Sequence, residues 1–271
     1  MSNLLSEDIP IDNEAKAEYL KMVNKGLEEI RQGRLEKVVL SRKISIPNSK
    51  HPLELFKLLE LNYPDAMVYC FFHPQSGIWL GATPETLAQI ENNVLTTVSL
   101  AGTKLFNETI PAAWTEKEKR EQQIVTDYIL QVLEESSAKT SVSGPETIQA
   151  GQVVHLRSVI RAELVGDYSV KSLLEKLHPT PAVCGMPRNE AYKFIMDNET
   201  YDREFYTGFL GELNLSEGPE VDLYVNLRCM QLFPEEARVF VGGGITSESI
   251  PEHEWLETVD KSKTMVKVIA F

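Results

Sequence analysis

Two helical stretches carry carboxylates at i,i+3 spacing: Glu118 and Glu121 in the middle of the chain, and Glu254 and Glu257 near its end, the latter followed by Lys261. On a helix that spacing places both side chains on one face. Two such faces brought together suit a hard divalent cation, because Mg²⁺ takes one or two carboxylates, several waters and the oxygens of its ligand. Just ahead of the second pair stand Gly242, Gly243 and Gly244, read as a turn whose backbone can approach an anion with its N–H groups free. Each feature also has a plain structural use. Glu118 follows Thr115 at capping-box spacing and can reach back to its own helix terminus, and Glu254 and Glu257 can simply face water.

Four further positions divide in the same way. Lys37 opens an apolar run, Lys37-Val-Val-Leu-Ser-Arg42. It is either a solvated strand-end charge or a desolvated general base, since burial lowers a lysine's pKa. In Gly81-Ala-Thr-Pro-Glu85 a proline turn sets Glu85 either in solvent or at the mouth of a sheet, where it could act as a general acid. His155, in Val153-Val-His-Leu156, is by default a core histidine. Arg228 lies within Val225-Asn-Leu-Arg-Cys-Met230, where a buried guanidinium needs an anionic partner, and a bidentate grip on a carboxylate is its natural use.

The elements that position these groups follow from periodicity. Helices are expected at residues 15–32, with Tyr19, Met22, Val23, Leu27 and Ile30 on one face and Gly33 as the stop, and at 53–61, 115–135, 170–177, 190–198 and 249–261. The last opens with Ser249-x-x-Glu252, a second capping-box spacing. Strands are expected at 37–46, 67–72, 77–82, 87–90, 94–100, 153–164, 205–214, 222–233 and 238–242. Strands outnumber helices without strict βαβ alternation, which predicts an α+β fold with large antiparallel sheets. Residues 1–14 read as a polar lead-in and 15–271 as a single domain, with no low-complexity linker and no repeat.

A net charge of -13 argues against nucleic acid or an anionic membrane as the main partner. An anionic small molecule stays possible where local cations or a metal meet it. Three cysteines without CxxC spacing exclude a disulfide framework and a zinc site and point to a reducing compartment. No basic-then-apolar leader and no spanning apolar run is present, so a cytoplasmic location is expected.

The ordered set Lys37-Val-Val-Leu-Ser-Arg42, Gly81-Ala-Thr-Pro-Glu85, Leu100-Ala-Gly-Thr103, the helix of Glu118 and Glu121, His155-Leu-Arg157, His178-Pro-Thr-Pro-Ala-Val-Cys-Gly-Met-Pro187, Tyr206-x-Gly208, Leu227-Arg228 and Gly242-Gly-Gly-Ile245 with Glu254-Trp-Leu-Glu257 and Lys261 resembles the chorismate-utilising enzymes. The resemblance runs from about residue 15 to the end and is nearest to isochorismate synthases. It implies two packed α/β halves with large antiparallel sheets, helices outside and the active site between. By motif position it implies Mg²⁺ held directly by Glu121 and Glu257 and through waters by Glu118 and Glu254. Arg228 and Tyr206 would bind the enolpyruvyl carboxylate of chorismate, Lys261 and the Gly242, Gly243 and Gly244 amides would lie near the ring carboxylate, and His155, Thr103 and Ala182 would line the site.

Three positions sort the subfamilies. Relatives that use ammonia carry glutamine where Lys37 stands, so Lys37 speaks for water as nucleophile, with Glu85 as the acid for the departing hydroxyl. Relatives that form a covalent adduct place lysine at the position of Ala101, and those that eliminate pyruvate place threonine at that of Ala182. The expected activity is therefore Mg²⁺-dependent conversion of chorismate to isochorismate, an isomerase reaction, with no glutaminase subunit. Salicylate synthesis and a non-catalytic chorismate-binding fragment stand as alternatives, and the pathway served, menaquinone or siderophore, and the oligomeric state are left open. Two departures from the family pattern are Gln122, where relatives often have histidine, and a length on the order of a hundred residues short of relatives with this activity, as if their N-terminal extension were lacking.

Overall fold

The computed structural model describes residues 12–105, 113–134, 136–150, 153–166, 168–215 and 219–270. Two six-stranded, wholly antiparallel sheets form its frame. Strands β1 (Lys37–Pro47), β2 (Met67–His73), β3 (Gly77–Thr83), β8 (Gly185–Met186), β11 (Cys229–Leu232) and β12 (Glu236–Ile245) make the first, in the order β2-β3-β11-β12-β1-β8. The second is built from β4 (Thr86–Glu91), β5 (Val94–Leu105), β6 (Ser137–Ala150), β7 (Val153–Leu164), β9 (Phe209–Leu213) and β10 (Val221–Val225), in the order β6-β7-β5-β4-β10-β9.

Each sheet buries one face under helices. Against the first pack α1 (Asn13–Arg31), α2 (Pro52–Asn62) and α6 (Pro251–Ala270), joining Tyr19, Val23 and Leu27 to Val38 and Leu40, and Leu55 and Leu59 to Leu80, Val239 and Met265. Against the second pack α3 (Glu116–Leu133) and α4 (Val170–Leu177), joining Val125, Ile129, Leu133, Leu173 and Leu177 to Leu87, Leu95 and Ile160. Helix α5 (Arg188–Asn198) covers the β1 edge through Ala191 and Ile195. Each fully buried leucine contributes about 1.5–3 kcal/mol, so two separate cores hold the two halves. Helix α1 opens on Asp12, whose carboxylate accepts from the Glu14 and Ala15 amides at 3.0 Å, and ends before Gly33 at φ 71°.

Several expectations are corrected. Residues 137–150 form β6, a polar and largely exposed edge strand whose sequence lacks the apolar alternation that marks a half-buried one. The strand expected at 205–214 starts only at Phe209, after a turn. The strand expected at 222–233 breaks in two at Asn226-Leu227-Arg228, where Arg228 has φ 48°. The glycines are not a turn: they lie inside β12, and none has positive φ. No capping box forms at Ser249, because α6 begins at Pro251; Ser249 Oγ instead accepts from the Thr246 amide, and Glu252 pairs with Lys16 at 2.7 Å. Proline suits that first helical position, since its missing N–H would have no partner there. Among the described residues no helix is long and apolar enough to cross a membrane.

Candidate active site

The two sheets meet along a seam where two neighbouring strand pairs change sheet together. Strand β3 leaves the first sheet and becomes β4 in the second through Pro84 and Glu85; beside it, β10 leaves the second and becomes β11 in the first through Asn226, Leu227 and Arg228. The crossings are stitched to each other. Ala82 N donates to Arg228 O at 3.0 Å, Val225 N to Glu85 O at 2.9 Å, and the Thr83 hydroxyl to Val225 O at 2.6 Å. Glu85 and Arg228 are thereby set at one cleft, which Glu121, His155, Ala182, Tyr206, Gly242, Gly243, Gly244 and Lys261 also line.

At one end the Arg228 guanidinium is part-buried with no carboxylate partner among the described residues. It donates to Thr264 Oγ1 at 2.9 Å and to His155 Nε2 at 3.3 Å. The described residues supply no carboxylate for the bidentate grip expected of Arg228, which leaves a part-buried cation facing the cleft. His155 Nδ1 lies 2.8 Å from Gly102 O, a pure acceptor, so Nδ1 carries the proton and Nε2 offers its lone pair to Arg228. Burial and the Arg228 charge push His155 down to about 3, keeping it neutral. Gly102 itself, at φ 69°, sits where β5 bulges between Ala101 and Lys104, and a Cβ there would lie 2.9 Å from the Trp114 ring. Thr103 belongs to that bulge, and its side chain is outside the described set. Tyr206 stacks on Phe240 with ring centroids 5.5 Å apart, and its hydroxyl stands over Gly242.

At the other end the carboxylates are held by lysines. Glu121 Oε1 is 3.0 Å from Lys37 Nζ, Glu257 Oε1 is 2.7 Å from Lys261 Nζ, and Glu254 Oε1 is 2.7 Å from Lys117 Nζ, which also lies 3.9 Å from Glu257. Glu118 takes its local role: its carboxylate accepts from the Thr115 amide at 2.7 Å and from the Thr115 hydroxyl, and Lys104 stands 3.4 Å away. Lys117 escaped sequence reading because nothing marks one lysine among the charges of 116–121. A signal was available: a cation in the first turn opposes the helix dipole and so needs a reason.

The glycines admit these carboxylates. A Cβ on Gly244 would fall 2.1 Å from Glu121 Oε1, and one on Gly243 would contact Glu254 and Glu257. Their amides are not all free. Val39 N donates to Cys184 O and Ser41 N to Glu199, so Leu40 is the residue that turns its polar groups to β12, pairing with Gly243. The alternation then aims the Gly242 and Gly244 amides away from β1, beyond the end of β11, and Lys261 Nζ donates 2.9 Å to Gly242 O on that side. Two amides, not three, face the cleft.

Glu85 is buried, and burial pushes it up to about 7 against the pull of Lys37, Lys261 and Arg228. Burial thus favours its protonated form, relative to a solvated glutamate, as a general acid requires. Lys37 is fully buried, paired with Glu121, and its Cε lies 2.9 Å from where a Cβ on the cleft-lining Gly244 would stand. The other departure from the family pattern, Gln122, points away from the site: its amide donates into a buried hydroxyl cluster of Ser99, Thr126 and Ser158 at 2.7–2.9 Å.

The residues present fit a divalent cation. The donor set is all carboxylate, Glu254 Oε2 is buried without a hydrogen-bond partner, and burial with Glu257 repulsion raises Glu254 to about 7 despite Lys117. Among the described residues no group of three or more carboxylate, histidine or cysteine side chains stands together as a metal cage, and Glu121, Glu254 and Glu257 each have a lysine within 3.0 Å. A roomier groove of about 540 Å³ between α4 and β9 carries only exposed Lys171, Glu175 and Glu220 and half-buried His178 as its charged or ionisable side chains, so the chemistry is assigned to the seam.

The chain is 31% identical to isochorismate synthase MenF of Haemophilus influenzae, over 98% of this chain and 64% of that protein. The solved structure of MenF, the menaquinone-specific isochorismate synthase of Escherichia coli, superposes with a TM-score of 0.82 at 26% identity, covering 94% of this chain and 61% of that one. Anthranilate synthase component I from Streptococcus pneumoniae superposes nearly as well, at 0.81 and 27% over 93% and 57%. The chain spans between 54% and 64% of the length of curated isochorismate synthases that it matches in sequence. The profile of the chorismate binding enzymes matches residues 3–270, and the chain belongs to that family.

Proposed function

We propose that the protein is a Mg²⁺-dependent isochorismate synthase: water adds at C2 of chorismate as the C4 hydroxyl leaves, giving isochorismate. The observation that carries this reading is Glu85, a buried carboxyl at about 7 that lines the cleft and can deliver a proton near neutral pH. Lys37, as the neutral amine formed once its ammonium has given up a proton and parted from Glu121, takes a proton from the attacking water, and Glu85 gives its own to the departing hydroxyl. Arg228, part-buried and without a carboxylate partner among the described residues, receives the enolpyruvyl carboxylate, with Tyr206 and His155 beside it. Lys261 and the Gly242 and Gly244 amides face the ring carboxylate. Glu121 and Glu257 would hold Mg²⁺ directly and Glu118 and Glu254 through waters; the ion supplies positive charge against that carboxylate.

Ala101 and Ala182 both line the cleft, which supports water chemistry that stops at isochorismate. The resemblance associates a covalent adduct with lysine at the first position and pyruvate elimination with threonine at the second. Fold similarity alone does not select among these reactions, since an anthranilate synthase component shares it. The test is incubation with chorismate and Mg²⁺ followed by chromatography. Isochorismate as sole product is expected; salicylate with pyruvate would replace this reading with salicylate synthesis, and binding without any product would replace it with a non-catalytic chorismate-binding role.

A further inference from the structure

Beside the stretch of the cleft wall made by Glu121 and Lys261, the acidic cluster of Glu254 and Glu257 already contains a cation, and the chain supplies it. Lys117 is the second residue of α3, a position where the helix dipole disfavours positive charge. Its ammonium nevertheless lies 2.7 Å from Glu254 and 3.9 Å from Glu257, within the field of Glu121 as well. Its side chain is 18% exposed, so the flexible stem has a way out to water. The other two lysines differ. Lys37 is fully enclosed, and Lys261 is tied to Gly242 O as well as to Glu257. An ammonium seated against Glu254 and near Glu257 stands where a hydrated metal ion, held directly by Glu257 and through water by Glu254, would have to sit, so the two exclude each other.

We propose that Lys117 is an internal counter-ion that holds Glu254 and Glu257 together in the metal-free protein and competes with Mg²⁺ for them, leaving as the ion arrives. This rests on the reading of the acidic end as a Mg²⁺ site. The lysine spares the empty site the repulsion of its carboxylates, and it weakens apparent Mg²⁺ affinity by the fraction of molecules in which it is seated.

The test is calorimetric titration with Mg²⁺ alone, on the unaltered chain and on Lys117→Met, alongside thermal unfolding in EDTA. The variant is expected to bind Mg²⁺ about tenfold more tightly or better, to melt several degrees lower in EDTA, and to recover that loss when Mg²⁺ is added. Lys117→Arg keeps a cation in place and adds a bidentate grip, so it is expected to bind Mg²⁺ more weakly than the unaltered chain; it decides the matter if the methionine variant does not fold. Equal or weaker binding by folded Lys117→Met, or tighter binding by Lys117→Arg, overturns the competition and leaves the metal site standing. Absence of Mg²⁺ binding in the unaltered chain and in every folded variant overturns both.

Discussion

The two ends of the cleft treat buried charge in opposite ways. At the acidic end every carboxylate has a lysine within ion-pair range: Glu118 with Lys104, Glu121 with Lys37, Glu254 with Lys117, Glu257 with Lys261. At the other end Arg228 has a hydroxyl and a neutral imidazole but no carboxylate among the described residues. Its backbone is also held at φ 48°, a conformation that costs a non-glycine residue on the order of 1 kcal/mol or more. One end pairs its carboxylates with its own lysines and must be opened, while the other holds a cation with no carboxylate among the described residues, ready for an incoming one. An anionic substrate therefore meets a ready partner at Arg228 and a closed set of ion pairs where the metal is proposed to sit.

The largest effect is expected from Arg228→Met. Loss of a desolvated charge contact should lower kcat/KM for chorismate by about 10³-fold, while the melting temperature stays level or rises, because a part-buried charge without a carboxylate partner is removed. A fall of the size expected for a broken ion pair would erase the contrast between the two ends. Next comes Glu85→Gln, with turnover down about 10²–10³-fold as proton delivery is lost. It also carries a pH signature. The Glu85 carboxyl stands at about 7 in the folded chain, above its ordinary 4.5, so its stabilising share is complete below about pH 4.5 and fades as the pH rises through 7. Unfolding measured from about pH 5 to 8 should show stability falling in the unaltered chain, with the Glu85 share, on the order of 3 kcal/mol, absent from the glutamine variant. Glu254, also at about 7, leaves a residual slope of the same sign. The smallest effect belongs to Glu118→Ala, which removes a cap and should cost about 1 kcal/mol of stability. A much larger loss of Mg²⁺ affinity than of stability would return Glu118 from its cap to the metal.

Much of the site was legible because its parts are short and local. The capping partner of Thr115, the proline turn before Glu85 and the i,i+3 spacing of Glu254 and Glu257 depend only on residues within a few positions of each other. Two readings failed where a distant neighbour decided the matter. The glycines are needed for the carboxylates of α3 and α6 and not for a turn. Residues 222–233, apolar throughout much of their length, divide between two sheets because β4 and β3 compete for successive parts of them.

The sequence by itself determined the α+β class, the helices and most strands, and the chemical types available for a reaction, because amphipathic period and side-chain chemistry are written residue by residue. Only the tertiary structure decided which cation faces which anion. Coulombic partnership depends on distances set by the seam between two sheets, and the chain brings Lys117 of α3 beside Glu254 of α6, and Lys37 of β1 beside Glu121, from far apart in sequence.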